Sequence, residues 1–296
     1  MRSYLFTPAD QARKLAKASQ SGADAILIDL EDSVAPEQKV QARMEAAAFV
    51  QALRTNHKRP RLYVRINPLT TQWAQADLDA IMPAMPDAIV LPKCQSAQDV
   101  QHLSVKLSVL EASYGLIQGT TQIMPLACET AASLFHLSTL IGSSQRLVAL
   151  AWGAEDLALD LGAQQARHPD GRLISPLQMA RTLTLSAARA AGLSPIDAVY
   201  TDLRNVEGLR EECLRAAGDG FEGKLAIHPD QIAIINQAFT PSQEVLARAQ
   251  AIVHAFAQNP EQGAIAFEGT MLDRVHLMRA HKLLARSPDA DQPPAA

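Results

Sequence analysis

Cysteine is scarce: the 296 residues hold three, Cys94, Cys128 and Cys213. An odd number without CxxC spacing gives neither a disulfide framework nor a paired-cysteine zinc site. An excess of one charge is also missing. The 27 Lys and Arg against 31 Asp and Glu leave a formal charge of −4, which disfavours nucleic acid or an anionic membrane as the main partner. No apolar run approaches the roughly 18 residues of a membrane span. The opening MRSYLFTPADQARK turns polar after Phe6, too early for the apolar region of a signal peptide. Neither Gly-x-Ser-x-Gly nor HExxH occurs, which removes the nucleophile elbow and the paired-histidine zinc helix. These absences predict a cytoplasmic protein with reduced thiols.

What is present is a 48% hydrophobic composition arranged in a rhythm. Short apolar runs fall at 3–7 (SYLFT), 25–30 (AILIDL), 62–66 (LYVRI), 88–91 (AIVL), 122–127 (QIMPLA), 146–151 (RLVALA), 198–201 (AVYT) and 224–227 (KLAI). Continuous runs rich in Val, Ile and Leu suit strands buried on both faces of a parallel sheet. Helix-like stretches separate them, at 10–20, 36–54, 96–111, 130–141 and 176–191. Strand alternating with helix means crossover units. Eight units in roughly 240 residues match an α/β (β/α)8 TIM barrel, typically about 250 residues long. An open doubly wound sheet fits less well, since no GxGxxG follows the first strand. The barrel is therefore expected over 1–240 and a C-terminal helical extension over 241–286, with helices at 242–258 and 271–286 around a loop at 259–269. The tail 287–296, with Pro and acid but almost no apolar surface, is expected to be disordered.

In such barrels the chemistry sits at the C-terminal ends of the strands. Those ends carry Asp29, Glu31 and Asp32, then Arg65 and Asn67, Lys93, Glu129, Glu155 and Asp156, Asp202 and His228. An acid-rich set with two or three cations suits a divalent metal and an anionic ligand. Glu129 and Asp156, on neighbouring strands, could approach one ion together, the arrangement magnesium prefers. The plainer reading is that these acids cap the following helices or pair with Arg65 and Lys93. The stretch 218–225 (GDGFEGKL) imitates a phosphate loop but has Leu225 where Ser or Thr is needed, and a helix precedes it, so a helix-to-strand turn is expected. Cys128 alternates away from Glu129 and reads as a core residue. His228 reads equally as an acid–base group or a structural one.

The strand-end motifs also occur in a familiar order. Arg2-Ser3 before LFTP, DLEDSVAPEQKVQAR, VRIN, LPK, CETA, WGAEDLALDLG, GKLAIHP, FTPS and GTMLD together resemble the citrate lyase beta-subunit-like proteins. That group includes malyl-CoA and citramalyl-CoA lyases of the HpcH/HpaI aldolase superfamily. The resemblance covers about residues 1–286. It implies the barrel fold, Mg2+ (with Mn2+ as a substitute), an acyl-CoA substrate, and a homo-oligomer, trimer or hexamer. Its chemistry would be retro-aldol cleavage of a 3-hydroxyacyl-CoA to acetyl-CoA and a 2-oxo acid, glyoxylate or pyruvate, or the reverse condensation. Carried onto this chain, Glu129 and Asp156 would hold the metal, and Arg65 and Glu129 would contact the substrate. Phe6 and Lys17 would lie near the CoA. Asp273 would sit on a C-terminal lid reaching a neighbouring subunit's site. Gln11 stands where malyl-CoA lyases often have Arg.

The chemistry of the residues runs the same way. A thioester enolate needs a positive partner, for which Arg65 is the candidate. Asp273 would protonate its carbon. Glu31 and Asp32 would hold metal waters or Lys93. An acyl-CoA thioesterase and a citrate lyase beta subunit acting on a carrier-protein thioester stand as alternatives.

Overall fold

The computed structural model describes residues 1–286; the expected tail 287–296 lies outside them. Eight strands form a closed, all-parallel barrel in sequence order. They are β1 (Ser3–Pro8), β2 (Ala25–Asp29), β3 (Arg61–Arg65), β4 (Ala88–Leu91), β5 (Gln122–Ala127), β6 (Ala149–Trp152), β7 (Ser194–Asp197) and β8 (Gly223–Ala226). The helices are α1 (Ala12–Ala18), α2 (Lys39–Leu53), α3 (Ala74–Ile81), α4 (Ala97–Ser113), α5 (Ala131–Leu134), α6 (Ala154–Asp160), α7 (Ser175–Ala190), α8 (Val206–Asp219), α9 (Gln231–Phe239), α10 (Gln243–Ala257) and α11 (Arg274–Leu284). The chain divides into one compact unit over Met1–Asn236 and a second beginning at Gln237.

Alternation along each strand sends one set of side chains inward. Tyr4, Leu27, Tyr63, Val90, Met124, Leu126, Ile196 and Leu225 fill the barrel together with Ala25, Ala88, Ala149 and Ala151. Large residues facing alanines close the interior, so the barrel is a packed core and not a pore. Burying each large apolar side chain contributes roughly 1.5–3 kcal/mol. The next inward position towards the strand ends is polar, and there the site begins.

The sixth strand is Ala149–Trp152 in place of 146–151. The helix expected over 130–141 is the short α5 and a 3-10 turn at Leu137–Leu140. Two further expectations need larger correction. The seventh strand is Ser194–Asp197, not 198–201. Its sequence SPID holds Pro195, which argues against a strand interior, yet the ladder is short: three residues pair with β6 and two with β8. The apolar AVYT cannot extend it because side chains take its carbonyls. Lys224 Nζ donates to Ala198 O at 2.6 Å and Gln231 Nε2 to Tyr200 O at 2.9 Å. Asp202 is consequently exposed in a loop and accepts from the Arg204 amide at 3.1 Å; it does not stand at a strand end.

The second correction lies in the C-terminal unit. The expected loop and the start of the expected helix are an antiparallel hairpin, β9 (Ala264–Phe267) with β10 (Thr270–Asp273). Its turn residues Glu268 and Gly269 both have positive φ, 47° and 76°, the geometry whose twist matches a two-residue hairpin. Ile265 and Leu272 face inward and pack with Phe256. Asp273 then ends β10 and caps α11.

Candidate active site

Parity places Phe6, Asp29 and Arg65 in the inward layer directly above Tyr4, Leu27 and Tyr63. Asp29 and Arg65 are register partners on adjacent strands. Arg65 Nε and Nη2 donate to the two Asp29 carboxylate oxygens, each at 2.7 Å. Such a two-point pair fixes the plane of the guanidinium as well as its charge. Its Nη1 lies 2.8 Å from Glu31 Oε2, and its carbon sits 4.7 Å from the centre of the Phe6 ring. Burial alone would raise the Asp29 carboxyl, but Arg65, with Ser33 and the Glu31 amide, holds it below the usual range.

Lys93 lies at the end of β4 with φ +50°, and Cys128 at the end of β5 with φ +56°. Left-handed backbone at a residue with a side chain costs on the order of 1–3 kcal/mol and persists where its surroundings fix it. The kink at Lys93 serves Glu129. The Lys93 amide donates to Glu129 Oε2 at 2.5 Å. The Lys93 ammonium lies 2.6 Å from Glu31, 3.6 Å from Asp32 and 3.7 Å from Asp156. Glu129 itself is 3% exposed and packs against Gly153, the residue before α6. A Cβ at Gly153 would fall 2.7 Å from Glu129 Cγ and 2.8 Å from Oε1, so only glycine leaves this carboxylate its room. Asp156 stands in the first turn of α6, where the helix dipole favours negative charge. Burial, then the neighbouring charges of Asp156 and Glu31, push the Glu129 carboxyl up to about 8 despite the Lys93 amide and Arg65. Burial likewise raises Glu31, opposed by Arg65 and Lys93.

The donor set suits a hard divalent cation. Glu129 and Asp156 are carboxylates close enough to repel, on a wall with no sulfur or imidazole. Among the described residues no group of three or more acidic, His or Cys side chains converges on one point. A magnesium ion needs no more than one or two carboxylates with waters and substrate oxygens.

Phe6, Asp29, Asp32, Arg65, Glu129 and Asp156 line one cavity of about 420 Å3. A second, of about 390 Å3, shares Phe6, Thr7, Pro8 and Ile227 with it and is lined further by Lys14, Lys17 and His228. Phe6 thus stands between an acid-rich chamber and one where Lys14 and Lys17 outnumber Asp230. A larger cavity of about 610 Å3 borders Glu31, Asp32 and Lys93 and extends to Lys39 and Trp73. Lys14, one helical turn beyond Gln11, was not singled out from the sequence. Asn67 donates to Asp77 at 2.6 Å and braces the wall. His228 accepts from the Asp230 amide at 3.3 Å, and Cys128 is buried with Sγ 3.2 Å from Thr184 Oγ1. The 218–225 stretch is the helix-to-strand turn, with Gly220 at φ 113° ending α8.

Asp273 belongs to the second unit. It caps α11, accepting from the Val275 amide at 3.0 Å, and lies 2.7 Å from His276 Nδ1. Its pKa is lowered, first by the His276 hydrogen bond.

A second charged cluster went unread in the sequence. Lys224, fully buried on the outward face of β8, lies 2.8 Å from Glu212 and 3.5 Å from Asp197. Arg167 pairs with Glu212 at 2.6 Å, and Arg181 pairs with Asp197 and Asp219 at 3.2 and 2.7 Å. Trp152 Nε1 donates to Asp197 at 3.0 Å.

Fold and site together define an α/β barrel with paired carboxylates and a braced arginine at its mouth. The HpcH/HpaI aldolase/citrate lyase family matches residues 2–229, and the chain belongs to that family of carbon–carbon lyases. The (3S)-malyl-CoA thioesterase of Cereibacter sphaeroides is 36% identical over 288 residues, covering 97% of this chain and 94% of the relative. The citrate lyase subunit beta of Haemophilus influenzae is 33% identical over 288 residues, covering 97% and 96%. Among solved structures, CitE from Mycobacterium tuberculosis in complex with magnesium, acetoacetate and coenzyme A superposes with a TM-score of 0.79 at 34% identity, covering 97% of each chain. No helix among the described residues is long and apolar enough to cross a membrane.

Proposed function

We propose that this protein is a Mg2+-dependent lyase that cleaves a 3-hydroxyacyl-CoA of the malyl-CoA or citramalyl-CoA type to acetyl-CoA and a 2-oxo acid, or joins them. The observation that carries the reading is the acidic chamber of Arg65, Glu129 and Asp156 opening beside the Phe6–Lys17 cavity. The carboxylate of a small acyl head would meet Arg65 and the metal held by Glu129 and Asp156, and a phosphate-bearing carrier would meet Lys14 and Lys17. Three buried free cysteines suit a reducing cytoplasm.

Glu129 and Asp156 would hold the magnesium, which when bound supplies a Lewis acid that polarises the hydroxyl and carboxylate oxygens of the acyl group. Arg65 keeps its charge at every working pH and is oriented by Asp29, so it provides a fixed positive partner for the thioester oxygen as negative charge develops there. Glu31 and Asp32 act by holding Lys93. Cleavage removes the hydroxyl proton and breaks the bond between the hydroxyl-bearing carbon and the thioester's C2. It leaves a 2-oxo acid and an enolate whose carbon must receive a proton, so the net transfer is from hydroxyl to carbon. We assign delivery of that proton to Asp273, which lies 2.7 Å from His276 Nδ1. If the protein is a homo-oligomer whose Asp273 serves a neighbouring barrel, mixing Asp273→Ala with Arg65→Ala subunits restores part of the activity. No recovery after demonstrated subunit exchange removes that role.

A thioesterase is the second reading, favoured by the name of the 36% identical relative. Product analysis separates the two. Malyl-CoA and citramalyl-CoA differ by one methyl group, worth only about 1–3 kcal/mol in an apolar pocket, so both are tested. Acetyl-CoA with glyoxylate or pyruvate is the expected outcome. Free CoA with intact malate or citramalate overturns the lyase in favour of the thioesterase.

A further inference from the structure

We propose that Lys93 is a built-in competitor for the divalent cation, a fixed charge that keeps the carboxylates assembled and keeps the ion exchangeable. The inference rests on Glu129 and Asp156 as the metal ligands and goes beyond it by assigning Lys93 a task. The residue grips the site at both ends. Its amide holds Glu129 at 2.5 Å, and its ammonium spans Glu31, Asp32 and Asp156 at 2.6, 3.6 and 3.7 Å. The left-handed backbone at Lys93 is what allows one residue to turn its N–H towards Glu129 and its side chain across the other acids.

Two consequences of opposite sign follow. The ammonium offsets repulsion among carboxylates that burial makes costly, so it steadies the mouth. The same charge repels any cation bound between Glu129 and Asp156, in a partly buried setting where screening by salt is weak. A merely structural lysine would show only the first effect. Affinity for the ion separates the two, because removing a competitor tightens binding whereas loosening a scaffold weakens it.

The test is calorimetric titration of Mg2+, with Mn2+ counted by electron paramagnetic resonance, into wild type, Lys93→Met and Lys93→Arg, alongside thermal melts in EDTA and in excess Mg2+. Lys93→Met is expected to bind the ion about tenfold or more tighter, to melt lower in EDTA, and to recover its melting point in Mg2+. Lys93→Arg, which keeps the charge, should bind as wild type does. Where the Met variant fails to fold, Lys93→Gln takes its place, since the amide can still donate to Glu31. Equal or weaker binding in the neutral variant, with wild type binding normally, overturns the competitor role while leaving the metal site intact. Absence of saturable binding in wild type overturns both.

Discussion

Two charge clusters of the barrel, among the buried ion pairs it carries, are built to opposite ends. At the mouth, Asp29, Glu31, Asp32, Glu129 and Asp156 surround two cations, Arg65 and Lys93. On the outer face of β7 and β8, Asp197, Glu212 and Asp219 are matched by Arg167, Arg181 and Lys224. The outer cluster is balanced in charge, three acids against three bases. Although burial raises it, Lys224 and Arg167 bring the Glu212 carboxyl down to about 2. The mouth is not balanced, and Glu129 rises to about 8. Matched charges hold a wall together. A surplus of acid is unfavourable for folding and fits the proposed site, where a cation and a substrate would complete it.

The largest expected effect comes from breaking the mouth. Glu129→Gln removes a proposed metal ligand whose ion contributes several kcal/mol to transition-state stabilisation, so activity should fall by about 10³-fold or more. The variant should melt no lower than wild type in EDTA, because it deletes a buried, repelled carboxylate. Asp156→Asn should act likewise, and EDTA should silence the wild type. Turnover by metal-free protein would remove the metal from the account.

How much of this contrast the sequence discloses depends on the span of each contact. The strands were legible because two-sided burial demands unbroken apolar runs, and the mouth acids because they directly follow those runs. Asp29 and Arg65, 36 residues apart, could be named as strand-end residues but not as a pair. The outer cluster was hidden twice. Pro195 disguised β7, so Asp202 was read as the strand end in place of Asp197. Lys224 inside KLAI looks like ordinary alternation, while its partners lie 12 and 27 residues away. The hairpin was missed because Glu268-Gly269 lacks the Asn-Gly or Asp-Gly signature. Gly153 carries no local mark that Glu129 needs its space.

Breaking the outer cluster gives the next effect, on stability. Lys224→Met leaves Asp197 and Glu212 buried without their shared cation, which costs about 3–5 kcal/mol. Urea melts should register that loss, while activity per folded molecule stays near wild type. An equal loss of kcat in folded protein would mean that the two clusters are coupled.

The outer cluster also has a pH signature. Glu212 titrates near 4.5 when unfolded and about 2 when folded. A depressed carboxyl contributes stability above its unfolded value and loses it as pH falls through the window from 4.5 to 2. Glu212→Gln should therefore cost about 3 kcal/mol at pH 7, and less than about half of that at pH 3. Denaturant titrations at the two pH values measure the difference. A cost independent of pH would assign the loss to packing and hydrogen-bond geometry.

The smallest effect sharpens the comparison most, because Arg65 has the properties of both clusters. Like Arg181 on the outer face, it is buried and paired with an aspartate; unlike Arg181, it lines the cavity that holds Glu129 and Asp156. Arg65→Lys keeps the charge but replaces a planar fork by a compact ammonium, which cannot bridge both Asp29 oxygens and still present a donor upward. If Arg65 stabilises charge on the substrate, kcat/KM should fall by about 10²-fold, comparable to deleting one oxyanion donor. Mg2+ affinity should stay close to wild type, since the local charge is unchanged. If instead the melting point drops and the kinetics per folded molecule do not, Arg65 is a wall residue like Arg181. The positive partner of the thioester would then have to be sought at Lys93.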